Sequence, residues 1–152
     1  MLDIHLENRD SFVVWGYGVE TDLANNDKDI GRLWSDRKDE LQTLSANPSG
    51  LYGVMWYTDN THKRYCYVLA VQANNQGGER INNQMKQIEI PKGLYAVARF
   101  PDSTDLGEAW SEFYFKELPM RGLETDYQHG IFFEWYPVEG GIELWNPVNK
   151  IE

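Results

Sequence analysis

Residues 130–136 of the chain read GIFFEWY, and residues 142–146 read IELWN after a short turn-like segment. Both runs are rich in aromatic and branched apolar residues, which is typical of β-strands. Glu-Gly at 139–140 can form a two-residue turn between them. The pattern therefore predicts a β-hairpin whose register pairs Glu134 with Trp145.

Strand alternation in this register sorts the side chains of the hairpin onto two faces. One predicted face is apolar and suited to packing against helices: Phe133, Trp135, Ile142 and Leu144. The other predicted face holds two carboxylates among three aromatic rings: Phe132, Glu134, Tyr136, Glu143 and Trp145. A slip of one residue in the pairing would change this sorting.

Glu134 is the one charged residue in the run 131–136. One interpretation is a solvent-facing glutamate on a half-exposed strand. The other is a carboxylate in an aromatic cavity, where it could pair with a cation whose flat body stacks on Trp and Tyr rings. A lone buried carboxylate also tends to have a raised pKa, so it could act as a general acid or base.

The aromatic frame of the hairpin occurs twice in the chain. Trp-Ser-Asp at 34–36 recurs as Trp-Ser-Glu at 110–112, and Trp-Tyr at 56–57 recurs at 135–136. The two motifs are separated by 22 residues in one case and 25 in the other. Such self-similarity predicts an internal duplication.

Hydrophobic periodicity around these motifs predicts the order strand, helix, strand, strand in each half. The predicted strands are 12–19, 51–57, 65–72, 87–90, 94–100, 130–136 and 142–146. The first helix is predicted to begin at a cap on Asp29 and to end at a turn over 47–50. The second helix is predicted to be capped by Ser103, Thr104 or Asp105 and stopped by Pro119 and Gly122.

These elements predict a single α+β domain over 1–152, with halves at about 1–75 and 84–152 joined by a polar, Gly-rich stretch. Its antiparallel, curved sheet carries the helices on one face, leaves the other face free, and forms a ligand groove between the halves.

Composition limits the possible functions. The formal net charge is −10 without a basic cluster, so we expect no direct nucleic-acid binding. The acidity suits solubility, or the attraction of cationic ligands or a basic protein partner. A single cysteine, Cys66, and three widely spaced histidines, His5, His62 and His129, predict neither a metal site nor a cofactor. We find no export signal and no membrane-spanning run, so we expect a cytoplasmic protein without a membrane partner.

Three further residues have two interpretations each. Aligning the repeats places Met55 opposite Glu134, so Met55 is either core filler or a soft, adaptable contact for ligands. Trp34 and Trp110 lie on the apolar stripes of the two predicted helices, where they could pack in the core or line a pocket.

The chain resembles the gyrase-inhibitory-protein-like domain, also found as the effector-binding domain of bacterial multidrug-responsive transcription activators. Three segments carry the resemblance: Ile-x-x-Leu-Trp at 30–34, Gly-Leu-Tyr-Ala-Val at 93–97, and Phe-Glu-Trp-Tyr at 133–136 followed by 142–148. The resemblance implies a duplicated strand–helix–strand–strand fold. It also implies binding of lipophilic, aromatic and often cationic compounds in the groove.

In that pattern the strand glutamate matching Glu134 lies at the pocket base. Positions resembling Glu143 and Trp145 flank it, and helix aromatics resembling Trp34 and Trp110 contribute to the walls. The remaining candidate ligand-binding residues are Phe132, Tyr136, Met55, Tyr57 and Tyr95. Two departures stand out, because Trp135 replaces a more usual aliphatic residue and Met55 weakens any scheme that needs a carboxylate in each half.

The leading functional hypothesis is a protein that binds an aromatic, cationic small molecule. No DNA-binding segment precedes the domain, so we expect a stand-alone form rather than an activator. One alternative is a hydrolase of reactive lipophilic compounds that uses the pocket glutamate, although no catalytic triad or metal set is found. The other alternative is a protein-interaction module of the gyrase-inhibitor type.

Overall fold

The computed structural model describes residues 3–44, 50–72, 84–102 and 104–151. These residues form an antiparallel sheet of nine strands and two helical segments. The strands are β1 (Asp3–Arg9), β2 (Phe12–Asp22), β3 (Gly50–Tyr57), β4 (Arg64–Val71), β5 (Lys86–Ile90), β6 (Gly93–Phe100), β7 (Leu123–Thr125), β8 (Phe132–Pro137) and β9 (Ile142–Lys150). The helices are α1 (Asn26–Leu44), then α2 (Leu106–Ser111), which continues as a π-helix (Glu112–Glu117) and α3 (Leu118–Met120). The predicted α+β class is confirmed.

The order of the strands reveals an exchange between the halves. Across the sheet the order is β1-β6-β9-β8-β3-β4-β2-β5, with β7 beside β9. The hairpins β3–β4 and β8–β9 meet at the centre. The first strand of each half pairs with the other half, since β1 pairs with β6 and β5 pairs with β2. Neither β1 nor β7 was predicted from the sequence.

This order requires a strongly curved sheet. Six strand spacings separate β1 from β2, which is about 29 Å in a flat sheet. Yet the last residue of β1, Arg9, and the first of β2, Phe12, are three residues apart, and a chain of that length spans at most about 11 Å. The sheet therefore curls until its outer strands approach each other.

The curl fills the face that was predicted to be free. Side chains from both halves form one buried cluster there, including Val14, Val54, Val97, Phe133 and Trp145. The opposite face carries two separate apolar clusters, one under α1 and one under α2. The prediction of a free face is wrong because the curvature lets the sheet bury that face against itself.

The register of the β8–β9 hairpin also differs from the prediction. Glu134 pairs with Leu144 and Phe133 pairs with Trp145, one residue away from the predicted pairing. The connection is longer than two residues: the Gly140 amide donates to the Pro137 carbonyl oxygen at 3.1 Å, and Gly140 has a φ of 103°. This matches a three-residue loop with a glycine bulge, which shifts the pairing by one residue.

The slip reverses the predicted faces. Phe133 and Trp135 now share a face with Trp145, on the side without helices. Glu134 shares its face with Leu144, which packs in the cluster under α2. The two helices therefore cover the face that carries Glu134, and the groove between them lies on that same face.

The ends of the helices follow side-chain caps. Helix α1 begins at Asn26, before the predicted cap, because the Asp22 carboxylate accepts from the Ala24 and Asn25 amides at 3.1 and 2.9 Å. Asp29 instead accepts a hydrogen bond from the Thr21 hydroxyl at 2.8 Å. Asp105 caps α2 by accepting from the Glu108 amide, as one of the three predicted options.

The other predicted ends have mixed outcomes. Pro119 lies inside α3, whereas Gly122 follows it with a φ of 72°. The predicted turn over 47–50, the Gly-rich stretch and the optional cap at Ser103 fall wholly or mainly outside the described residues. No helix in the described part of the chain is both long enough and apolar enough to cross a bilayer.

Two glycines provide a matched test of this packing. A Cβ on Gly16 would lie 2.6 Å from the Ala70 Cα, inside the β2–β4 pair, whereas a Cβ on Gly31 of α1 meets nothing within 4 Å. We expect Gly16→Ala to lower the free energy of unfolding by about 2 kcal/mol or more. We expect Gly31→Ala to raise it by roughly 1 kcal/mol. Urea unfolding of both variants measures the difference, and equal midpoints would contradict the close β2–β4 approach.

Candidate functional site

A cavity of about 330 Å³ opens between the beginning of α1 and the α2–π-helix segment. Its walls are mainly aromatic and come from both halves. The first half contributes Met55, Tyr57 and Tyr65, and the second contributes Trp110, Tyr114 and Phe132. The cavity thus lies between the halves, as predicted, but on the helix-covered face of the sheet instead of the face that was predicted to be free.

Phe132 organises the rings on this side of the cavity. Its ring meets Tyr57 edge to face at 5.7 Å and Trp110 edge to face at 6.3 Å, measured between centroids. Tyr114 lies at 6.2 Å in a tilted arrangement. Edge-to-face contacts of this kind fix the orientation of the rings that line the cavity.

Glu134 lies beside this wall and is almost fully buried, with 3% of its surface exposed. One carboxylate oxygen, Oε1, accepts from the Tyr136 hydroxyl at 2.6 Å and the Tyr67 hydroxyl at 2.9 Å. The other oxygen, Oε2, accepts from the Trp110 indole Nε1 at 2.8 Å. All of these partners are neutral, and no ion pair to Glu134 occurs among the described residues.

Trp34 joins the same network from the other helix. Its indole Nε1 donates to the Tyr67 hydroxyl at 3.1 Å, and that hydroxyl donates to Glu134. The two repeated tryptophans, Trp34 on α1 and Trp110 on α2, therefore both reach one carboxylate, the former through a phenol and the latter directly.

Burial sets the electrostatics of this cluster. Desolvation raises the pKa of the Glu134 carboxyl, and the hydrogen bonds from Tyr136, Trp110 and Tyr67 oppose part of that rise. Burial and the charge of Glu134 also raise the pKa of the Tyr67 and Tyr136 hydroxyls. Both phenols therefore remain protonated donors whenever the carboxylate is ionised.

Strand geometry explains how these groups meet. Phe132, Glu134 and Tyr136 alternate onto one face of β8, and the neighbouring β3 places Met55 across from Phe132 and Gly53 across from Glu134. A Cβ on Gly53 would lie 2.6 Å from Glu134 Oε1 and still closer to the Tyr67 hydroxyl. A residue without a side chain is needed there to make room for the acceptor and its donor.

Seven of the ten sequence-predicted site residues lie on this face. Glu134, Tyr136, Trp34 and Trp110 form the hydrogen-bonded cluster. Met55, Tyr57 and Phe132 line the cavity, together with Trp110.

The other three are placed elsewhere. The predicted position of Glu143 and Trp145 on the face of Glu134 is wrong, and Tyr95, a further candidate ligand-binding residue, does not line this cavity. Trp145 stacks on Phe133, with centroids 5.1 Å apart, and Tyr95 packs edge to face against both of these rings. Glu143 accepts from the Trp145 indole at 3.1 Å and pairs with Arg99 at 3.1 Å. Glu143 and Trp145 lie on the face without helices because of the one-residue slip of the hairpin. Tyr95 lies on the same face because it is two residues from Val97 on β6, and Val97 pairs with Trp145.

That opposite face has its own cation. The Arg9 guanidinium lies 4.0 Å from the Phe12 ring centroid and 4.9 Å from the Trp145 ring centroid. The chain thus fills its second aromatic cluster with an internal side chain at the point where β1 crosses to β2.

Sequence reasoning missed several residues of the site, including His62, Tyr65 and Tyr114 in the cavity wall and Tyr67 beside Glu134. Tyr65 and Tyr67 are two apart on β4, so they share the face of Met55, and this alternation was a usable signal. Tyr114 lies in the π-helix, a local widening that often marks functional sites and that the sequence does not reveal. No cluster of three or more His, Cys, Asp or Glu suited to a metal ion occurs in the part of the chain that the structure describes.

Solved structures share this fold over nearly the whole chain. The integron cassette protein Cass2 from the mobile metagenome of Vibrio cholerae matches with a TM-score of 0.74 at 16% identity, over 96% of this chain and 95% of that one. A protein solved with bound tetraphenylphosphonium matches with a TM-score of 0.76 at 17% identity, over 97% and 94%. The C-terminal domain of EcmrR matches with a TM-score of 0.63 at 13% identity, over 99% of both chains. None of the curated proteins matches the chain.

The family of integron-associated effector binding proteins, Cass2, matches residues 5–148. This match spans both hairpins and both helical segments, and it confirms the resemblance to effector-binding domains predicted from the sequence. The chain belongs to the family of integron-associated effector binding proteins.

Proposed function

We propose that the protein binds lipophilic, aromatic cations in the cavity between its helices, with Glu134 as the source of the attracting charge. Binding of a small effector is the property of the family. The proposal concerns the chemistry of the ligand and the residues that select it. The observation that carries it is a buried carboxylate held by neutral donors next to an aromatic cavity.

Glu134 has no counter-ion among the described residues. Ionised groups in a protein interior are normally paired or coordinate an ion. Three hydrogen bonds from neutral donors replace part of the hydration that the carboxylate loses on burial. They leave its negative charge without a cationic partner. A cation about 7 Å away, at an effective dielectric constant of about 20, would be stabilised by roughly 2 kcal/mol.

Aromatic rings separate the cavity from the Glu134 carboxylate. Glu134 lies behind Trp110 and Phe132, so a ligand in the cavity meets rings first and the carboxylate through them. Ring faces attract cations as well as apolar surfaces. A delocalised cation without hydrogen-bond donors suits this site better than a primary ammonium group, because three of the acceptor positions on the carboxylate are already used.

Tetraphenylphosphonium, the ligand bound to one structural neighbour, has this chemistry. It is a single positive charge covered by four phenyl rings. We take it as the reference probe for this protein. The hydrolase alternative lacks comparable support, because the indole of Trp110 covers the Glu134 carboxylate on the cavity side.

Replacing Glu134 with glutamine removes the charge while keeping the size of the side chain. We expect Glu134→Gln to weaken tetraphenylphosphonium binding tenfold or more, following the estimate of about 2 kcal/mol. Tryptophan fluorescence measures the affinity directly, since Trp110 lines the cavity.

Glu143→Gln is the matched control. It removes a carboxylate of the same size from the same hairpin, but from the opposite face of the sheet. We expect its affinity for tetraphenylphosphonium to stay within about twofold of the native protein at physiological ionic strength. If the two variants lose affinity equally, general acidity rather than Glu134 attracts the ligand.

Affinity should also depend on pH through Glu134. Burial raises its pKa above the ordinary value of 4.5, so the charge is lost as the pH falls through that raised pKa. We expect cation affinity to fall with decreasing pH, with a midpoint above 4.5, and binding at a pH near that midpoint to release a proton. Calorimetry in buffers of different ionisation enthalpy detects the proton.

The same shift has a defined effect on stability. The folded chain holds the Glu134 proton more tightly than the unfolded chain, so the contribution of this group to stability decreases as the pH rises through the window above 4.5. Glu134→Gln should remove both pH effects. A native affinity that does not change with pH in this window would contradict the role of Glu134.

A further inference from the structure

His62 stacks flat on two tyrosines at the mouth of the cavity. Its ring centroid lies 4.4 Å from that of Tyr57 with the planes 21° apart, and 4.6 Å from that of Tyr127 with the planes 19° apart. His62 lines the cavity itself. Tyr57 ends β3 in the first half and Tyr127 lies between β7 and β8 in the second, so the stack crosses the groove.

This geometry differs from the rest of the cavity wall. The described contacts of Phe132 with Tyr57, Trp110 and Tyr114 are edge to face or tilted. Face-to-face stacking at the cavity occurs only at His62 among the residues that the structure describes. The imidazole thus occupies the position that a flat ring of a ligand would take on these two phenols.

Only stacking holds the His62 side chain. Its ring makes no hydrogen bond or ion pair within the described ranges of the chain, so moving it away leaves no buried polar group without a partner. Its loop is fixed instead by Asp59, whose carboxylate accepts from the Lys63 and Arg64 amides at 3.1 and 3.2 Å.

The backbone of His62 is also strained. Its φ is 59°, and no other described residue except glycine has a positive φ. This left-handed conformation is costly for a residue with a side chain. The stacking on Tyr57 and Tyr127 helps to offset that cost, and a bound ring that took over the stacking would let the loop relax.

We infer that Tyr57 and Tyr127 form a stacking subsite for a flat aromatic ring of the ligand, and that His62 is a displaceable internal occupant of it. The inference rests on the proposed function, because it extends the same cavity outward to its mouth. It adds a selection rule: a ligand with a flat aromatic ring must displace His62, whereas a compact cation without a ring leaves His62 in place.

Two cationic probes separate these cases. Proflavine is a flat aromatic cation, and tetrabutylammonium is a cation without a ring. We expect His62→Gly to raise proflavine affinity at least about fivefold, because the competing ring contacts are removed. Tetrabutylammonium affinity should stay within about twofold, as measured by calorimetry at fixed ionic strength.

Two further variants exclude simpler explanations. Asn60→Gly loosens the same loop without touching the stack, so it should change neither affinity. Tyr127→Leu, added to His62→Gly, removes part of the stacking surface and should cancel the gain for proflavine. Tyr127 is 48% exposed, and its hydroxyl hydrogen-bonds that of Tyr114 in the cavity wall. Tetrabutylammonium affinity of the double variant should therefore also stay within about twofold, which shows that the cavity is intact.

Proton NMR of the native protein tests the displacement of His62 directly, and the His62→Gly variant is needed only to assign the His62 signals. The His62 ring signals, identified by their loss in His62→Gly, should move from ring-shifted toward solvent values when proflavine is added, but not with tetrabutylammonium.

The outcomes separate the two proposals. If neither cation binds the native protein, the proposed function fails. If both bind and Glu134→Gln weakens both, but His62→Gly fails to favour proflavine, only the stacking subsite is wrong. A loss of proflavine affinity in His62→Gly would show that the imidazole is a wall that contacts the ligand, and would also overturn the inference.

Discussion

The buried carboxylate of Glu134 constrains the centre of this protein. An ionised group with almost no solvent contact must find hydrogen-bond donors inside the fold. Here the donors come from Tyr136 on β8, Tyr67 on β4 and Trp110 on α2. Trp34 on α1 is connected indirectly, since it donates to the Tyr67 hydroxyl. The chain contains 6 Trp and 9 Tyr, and this abundance has a physical reason here, since each supplies an apolar body and one polar atom.

This requirement links the two halves more specifically than apolar packing could. Both helices carry a tryptophan at the repeated position, and both indoles connect to the same carboxylate, Trp110 directly and Trp34 through the Tyr67 hydroxyl. The arrangement is not symmetric, because the position of the first half that aligns with Glu134 in the repeat is occupied by an uncharged residue, Met55. One charge serves both helices, so the groove has a single electrostatic centre between two similar walls.

The sequence allowed both helical segments, seven of the nine strands and the face shared by Phe132, Glu134 and Tyr136 to be predicted, because each depends on local periodicity. The duplication was predictable from the repeated tryptophan motifs. The register of the β8–β9 hairpin was not predictable, because the loop at Gly140 has three residues instead of the predicted two. This one-residue difference places Glu143 and Trp145 on the face opposite Glu134. The position of Tyr95 followed from a curvature that no local pattern encodes. Tyr67 was predictable in principle, since it shares a face with Tyr65 and Met55 in a hairpin whose two strands were predicted from the sequence.

The exchange of first strands between the halves has a consequence for how the chain folds and how such a chain could arise. Leu6 pairs with Ala96, ninety residues away, so neither half completes its sheet before the other has been made. Long-range pairings of this kind slow folding and make it all-or-none, since no half-molecule is a stable resting point. The same pairing would form if two copies of a half-length chain swapped their leading strands. The fold is thus equivalent to a strand-swapped dimer whose two subunits have been joined into one polypeptide.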